Sequence, residues 1–125
     1  TGLIGALNYV PTIDSEENRA FQAAFSEKHQ RTASEFTVQG FDTGRLIVEA
    51  LKLTSGKTAD KAALVEAIHR VHFTSPRGPF RIDPASYNVI QEITIFEMRQ
   101  TGYDIRHVVI DKIADVQDPP NGCKM

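Results

Sequence analysis

The sequence carries a single cysteine, Cys123, which excludes a disulfide framework within the chain and any cysteine-rich metal site. It has no positive excess either: fourteen Lys and Arg stand against sixteen Asp and Glu, for a formal net charge of -2. With no run of basic residues to track a phosphate backbone, nucleic acid is set aside as a partner. Long apolar runs are missing as well, the longest being a few residues against the roughly 20 that a membrane-spanning helix needs. The chain opens on Thr1 with no basic stretch ahead of an apolar one. The expectation is that a targeting segment was removed or that the chain is a piece of something longer. At 125 residues, 41% hydrophobic and 24% charged, the composition suits one α/β domain with a core of its own. It does not reach function.

What is present reads as one strand, three helices and a β-rich end. Gly2 to Val10 is short and apolar and ends at Pro11, as a buried strand would. Asp14 with Glu17 three residues on has the spacing of a capping box, and Ala20, Phe21, Ala24 and Phe25 then share one face, which predicts a helix from about Ser15 to His29. After the polar break Gln30 to Ser34, a second helix carries Leu46, Ile47, Ala50 and Leu51 and stops near Thr54-Ser55-Gly56. Asp60 caps a third through Leu64, Ala67, Ile68 and Val71. Beyond it, Phe73 to Pro79 is turn chemistry, and Asp83-Pro84 starts another turn. Gln91 to Met98 and Ile105 to Ile113 form a hairpin around the loop Arg99 to Asp104, and the tail Ala114 to Met125 is irregular.

Most motifs with a chemical reading have a simpler one. Gly56-Lys57-Thr58 ends like a phosphate-binding loop, but Leu51 stands where the first glycine belongs and the segment follows a helix, so a helix C-cap explains it. His69 and His72 are three apart without a third ligand, and a histidine at a helix C-terminus is accounted for by the dipole; no metal site is expected. No nucleophile elbow, Cys-His arrangement or zinc-hydrolase motif occurs, and no catalytic residue or cofactor is assigned. Asp42 reads as a helix N-terminal residue and Asp83 as a turn residue. Cys123 is either a free thiol or a partner for a cysteine outside this chain. Phe36, Gly40 and Phe41 lie where the loop enters the second helix, a place where an aromatic wall can face a ligand, although burial in the core is the commoner fate of phenylalanine.

Three blocks taken together resemble a known family. Asn18-Arg19-Ala20-Phe21, then Phe36-Thr37-Val38-Gln39-Gly40-Phe41-Asp42 leading to Glu49-Ala50-Leu51, then Phe73-Thr74-Ser75-Pro76-Arg77-Gly78-Pro79-Phe80-Arg81-Ile82-Asp83, are similar in order and spacing to the type I periplasmic solute-binding proteins, in particular the branched-chain amino acid (Leu/Ile/Val) receptors of ABC importers. Where that family usually has Gly-Tyr-Asp, this chain has Gly40-Phe41-Asp42. The resemblance implies an α/β fold that is part of a two-lobe receptor, with a parallel-sheet lobe, flanking helices and a C-terminal β-hairpin. On this match the chain is the C-terminal third. Residues 1–8 are the last strand of the second lobe, and residues 9–92 the returning part of the first lobe, with a crossing near 9–11. Residues 93–125 are the third crossing, the hairpin of the second lobe and the tail.

The same resemblance implies a role for particular residues. Phe36 falls where the amino acid receptors set an aromatic residue against the ligand, with Gln39 nearly one turn on as a second ligand residue. Tyr9, Val10, Ile93, Thr94 and Ile95 fall in the hinge. The groups that grip the ligand's charged ends lie upstream. The implied function is capture, without catalysis, of a branched-chain or other amino acid or an aromatic carboxylate by hinge closure in the periplasm, for delivery to an ABC permease. The alternative is the ligand-sensing domain of a receptor or regulator with the same fold. The helix faces bearing Phe21, Phe25, Leu46, Ile47, Leu51, Leu64 and Ile68 should then need the remainder of the receptor, or a second copy exchanging the hairpin, to cover them.

Overall fold

The computed structural model describes residues 1–119. Its elements are β1 (Ile4–Leu7), α1 (Glu16–His29), α2 (Glu35–Leu53), α3 (Lys61–Arg70), β2 (His72–Ser75), β3 (Gly78–Ile82), β4 (Val89–Thr101) and β5 (Asp104–Val116). The architecture is mixed α/β with an open sheet in the order β1-β4-β3-β2, β5 pairing β4. Every strand pair among the described residues is antiparallel, so the parallel sheet expected of a whole lobe is not formed within this chain.

The helices end where their caps dictate. Ser15, not Asp14, caps α1: its hydroxyl accepts from the Asn18 N–H at 3.1 Å, while Asp14 pairs with Arg19. Asp60 caps α3 by accepting from the Ala63 N–H at 3.0 Å. α2 terminates as expected, with Ser55 and Gly56 both left-handed and the Gly56 N–H bonded to the Leu51 carbonyl. It begins earlier than expected: Ser34 is its N-cap, so Phe36, Gly40 and Phe41 belong to the helix and not to a loop entering it.

The β-rich end is more regular than the turn chemistry suggests. Ser75-Pro76-Arg77-Gly78 is the tight turn of a β2–β3 hairpin whose Phe73 and Phe80 stack at 4.5 Å. The β4–β5 hairpin turns at Gly102-Tyr103, where Gly102 takes a φ of 64°, instead of in the longer loop expected from Arg99. β5 also runs on to Val116, so Ala114 to Val116 are strand and not irregular tail; Cys123 lies outside the described residues.

β4 is the spine. Val89 and Ile90 pair with β3, while residues further along carry β1 on one side and β5 on the other. β1 lies so close over it that a Cβ added to Gly5 would come within 2.5 Å of the Phe96 ring. There are two apolar clusters, of which the first includes Phe96 of this spine. One joins Tyr9, Val10, Ile13, Val38 and Phe96; the other joins Ala50, Ala67 and Val71 where α2 meets α3.

Two buried polar groups are built into these contacts. Asp42 lies on the inward stripe of α2 between Val38 and Leu46. Its Oδ2 accepts from Arg77 Nε at 2.6 Å and from the Ser75 hydroxyl at 2.9 Å. Arg77 also donates to the Gln91 side-chain carbonyl. Both ionic side chains are at least nine-tenths buried. Asp42 is therefore not the dipole-favoured helix N-terminal residue expected, but one half of a buried ion pair. At the other group, the Tyr9 hydroxyl donates to Asn18 Oδ1 at 2.7 Å and accepts from Gln22 Nε2 at 2.5 Å. Burial pushes the Tyr9 phenol up to about 12, against the opposing pull of the Gln22 hydrogen bond.

Two outcomes follow for stability. Arg77→Met alone strands the Asp42 carboxylate and should cost roughly 3–5 kcal/mol, while Asp42→Leu with Arg77→Met should recover most of that loss; denaturant midpoints of the three proteins check it. For Tyr9, the folded state holds its proton above the pH at which the unfolded state releases it. Stability should thus fall as pH rises from about 10 to about 12. Midpoints measured across that window should drop further for the native sequence than for Tyr9→Phe.

Candidate functional site

Phe36, Gln39 and Thr43 succeed one another at helical spacing on one face of α2. Phe36 is 75% exposed, so it is not in the core of this chain, although a phenylalanine in a helix of a folded domain is most often buried. Gln39 and Thr43 form part of the wall of a cavity of about 390 Å³. Its floor is the Asp42–Arg77 pair, and Phe80, Val89 and Leu46 supply its apolar side. Asn8, at the end of β1, and Gln91, near the start of β4, close it on the side of the strands. Phe36 stands one turn toward the N-terminus on the same helix face and is not part of the cavity wall.

The one cation in the cavity wall is already matched by an anion. Arg77 is bonded to Asp42 on one side and to Gln91 on another, and its guanidinium lies 5.6 Å from the Phe80 ring centre. Its positive charge is thus already neutralised. The remaining wall offers the amides of Asn8, Gln39, Asn88 and Gln91, the hydroxyl of Thr43 and the carboxylate of Asp118, which accepts from Asn88 Nδ2 at 2.6 Å. Such a surface suits hydrogen bonding to a small polar molecule better than attraction of a bare anion.

The expected hinge residues come together in part. β1 and β4 run side by side, Ala6 opposite Ile95 and Leu7 opposite Thr94, so Tyr9 and Val10 lie just past the end of that ladder. Tyr9, Val10 and Thr94 are fully buried. The β4–β5 register shifts twice, between Gln91 and Ile93 and between Ile95 and Phe96, so that irregularities bracket the run Ile93 to Ile95 on both sides.

The other candidates settle into structural roles. Asp83 organises its turn, its carboxylate accepting from the Ala85 N–H at 2.9 Å and the Ser86 hydroxyl at 2.8 Å, which hold its pKa below the usual carboxylate value. The His69 ring lies tilted against Tyr87 with the ring centres 4.6 Å apart, and His72 lies against the Arg70 carbonyl. No group of three or more metal-ligating side chains occurs among the described residues, and no described helix is long and apolar enough to cross a membrane. What sequence reasoning missed is Arg77 and the inward face of Asp42. The signal for the second was present, since Asp42 is four residues from Val38 and four from Leu46 on the apolar stripe.

Comparison with known proteins identifies the family and the fold. Residues 1–103 match a family model described as periplasmic binding protein. A Leu/Ile/Val-binding protein homolog 6 of Brucella abortus is 33% identical over 99 residues, which is 78% of this chain and 25% of that protein. Among solved structures, a solute binding protein of an ABC transporter from Rhodopseudomonas palustris BisB5 in complex with 3,4-dihydroxybenzoic acid is 32% identical. It superposes with a TM-score of 0.88 over 94% of this chain and 32% of its own. A second, from R. palustris in complex with benzoate, is 33% identical with a TM-score of 0.85, covering 99% of this chain and 33% of its own. The chain thus spans about a quarter of the curated relative and a third of the solved ones. With the match over residues 1–103 and an open-sheet α/β fold shared with ABC-transporter solute-binding proteins, the chain belongs to the periplasmic binding protein family.

Proposed function

We propose that the chain is the C-terminal third of a periplasmic receptor that captures an amino acid or a small aromatic carboxylate by hinge closure and delivers it to an ABC permease, without catalysing a reaction. The observation that carries this reading is Phe36, a large aromatic left in the open on the helix face that also lines the polar cavity with Gln39. In the complete receptor Phe36 packs against the apolar part of the solute, and Gln39 contributes a hydrogen bond from the next turn. The solutes named for the solved relatives, benzoate and 3,4-dihydroxybenzoic acid, fit that division into a flat apolar body and polar ends. A Leu/Ile/Val-binding relative keeps branched aliphatic side chains in the same class.

In this reading residues 1–8 and the β4–β5 hairpin belong to one lobe and residues 9–92 to the other. Tyr9, Val10, Ile93, Thr94 and Ile95 form the hinge. Its support is the pair of register shifts around Ile93 to Ile95, since a bulge bends its strand and leaves the ladder locally incomplete. Closure is favoured by contacts that the solute makes with both lobes and makes only singly in the open form. The expected cover for the half-buried faces of Phe21, Phe25, Leu46, Leu51, Leu64 and Ile68, and for the exposed Ile47, is then the remainder of the receptor.

Titration calorimetry of the complete receptor with leucine, benzoate and 4-hydroxybenzoate tests the assignment. One of them should bind, and Phe36→Ala should weaken that binding by roughly 1–3 kcal/mol while leaving the unfolding midpoint unchanged. Equal affinity in both proteins would remove Phe36 from the site. For the hinge, open and closed crystal structures should superpose lobe by lobe, with the dihedral changes falling in Tyr9, Val10 and Ile93 to Ile95. Rotation about other segments would count against it.

A further inference from the structure

We propose that Gln22 is a positioning residue for solute binding: its side-chain amide fixes where the first turn of α2, and with it Phe36, stands relative to the segment around Tyr9. The proposal rests on the reading of Phe36 given above. Gln22 is half-buried on α1, and each polar atom of its amide is engaged. Oε1 accepts from the Ala33 N–H at 3.0 Å. Nε2 donates to the Ala33 carbonyl at 3.0 Å and to the Tyr9 hydroxyl at 2.5 Å.

The two bonds to Ala33 close a ring of the kind that two paired strands make, here between a side chain and a peptide. Ala33 is completely buried and directly precedes Ser34, the N-cap of α2. Neither polar group of Ala33 can reach water, so Gln22 supplies partners that the linker between α1 and α2 cannot find for itself. Phe36 follows three residues later, and the Thr37 and Val38 N–H groups close the first turn on the Ser34 carbonyl at 3.0 and 3.1 Å. On the other side the Tyr9 hydroxyl is held by Asn18, whose own amide reaches the Pro11 and Ile13 carbonyls at 3.0 and 2.7 Å. The polar chain therefore runs from the backbone after Tyr9, through Asn18, Tyr9 and Gln22, to Ala33, the residue before the N-cap of α2. A movement of the Tyr9 segment is carried to Phe36 while Asn18, Tyr9, Gln22 and Ala33 themselves need not touch solute.

A double-mutant cycle in the complete receptor tests it, with benzoate, 4-hydroxybenzoate and leucine as the probes. Gln22→Ala should weaken binding of the recognised probe roughly tenfold in the native background and less than about twofold in the F36A background, the mark of two residues acting through one contact. Its effect on the unfolding midpoint should be the same in both backgrounds. Amide exchange should quicken at Thr37 and Val38 in Gln22→Ala and stay unchanged at Leu64 to Ile68 of α3. Gln22→Glu keeps an acceptor for the Ala33 N–H but has no donor for the Ala33 carbonyl. It should fall between the two and serves in place of the alanine variant if that does not fold. Losses that simply add across the cycle, or exchange at Thr37 and Val38 that does not change, would overturn the proposal. Binding that survives Phe36→Ala unaltered would instead overturn the assignment of Phe36 on which it rests.

Discussion

Asp42 interrupts the apolar stripe of α2, and the chain is arranged around answering that one buried charge. A carboxylate in that position is tolerable only with a cation beside it and a hydrogen-bond donor; both reach Oδ2, and Oδ1 has no partner among the described residues. Arg77 supplies the cation, Ser75 a donor, and both come from the tip of the β2–β3 hairpin. The hairpin must then lie with its turn against α2, and Gln91, which takes another arm of the guanidinium, draws the start of β4 to the same place. The cavity follows as the space left between these groups and the strands. In apolar packing a helix and a hairpin can slide by a fraction of a turn at small cost. A pair of buried charges with defined hydrogen-bond directions removes that freedom.

Local order was the part legible in the sequence. The third helix and its Asp60 cap, the end of α2 at Gly56 and the turn made by Asp83 rest on interactions within a few residues, and the two strands of the final hairpin pair across one short turn. The errors arose where two local signals competed or where a distant partner decided. Asp14 and Ser15 both have capping chemistry, and the choice fell to the residue whose hydroxyl reaches the Asn18 N–H, while Asp14 went to Arg19. Pro76 and Pro79 argued for a turn alone, yet β4 meets β3 only at Arg81 and Ile82, so Pro79 has no donor to provide on that side and the strand survives.

The site was less legible than the fold for a related reason. Phe36 and Gln39 came from a resemblance, and the physics of phenylalanine alone pointed inward. Arg77 sits 35 residues from Asp42, and no local pattern joins a turn arginine to a helix aspartate across that distance. Gln22 is harder still. On its helix it has the look of a surface residue, and its value lies in a buried peptide of another segment, eleven positions on, that needed both a donor and an acceptor.

The pairing of β1 bears on how the chain is made. Ile4 to Leu7 have their sheet partners at Thr94 to Glu97, and the Gly2 N–H and Leu3 carbonyl bond to Met98. Synthesis runs from the N-terminus, so this strand leaves the ribosome about 90 residues before the strand that receives it, a separation that makes the contact slow to form. The three helices and the β2–β3 hairpin can assemble in the interval from contacts close in sequence. A short apolar strand with free edges must meanwhile be kept from other partners. A chain halted before β4 would therefore leave Ile4 to Leu7 without the strand that they pair with here.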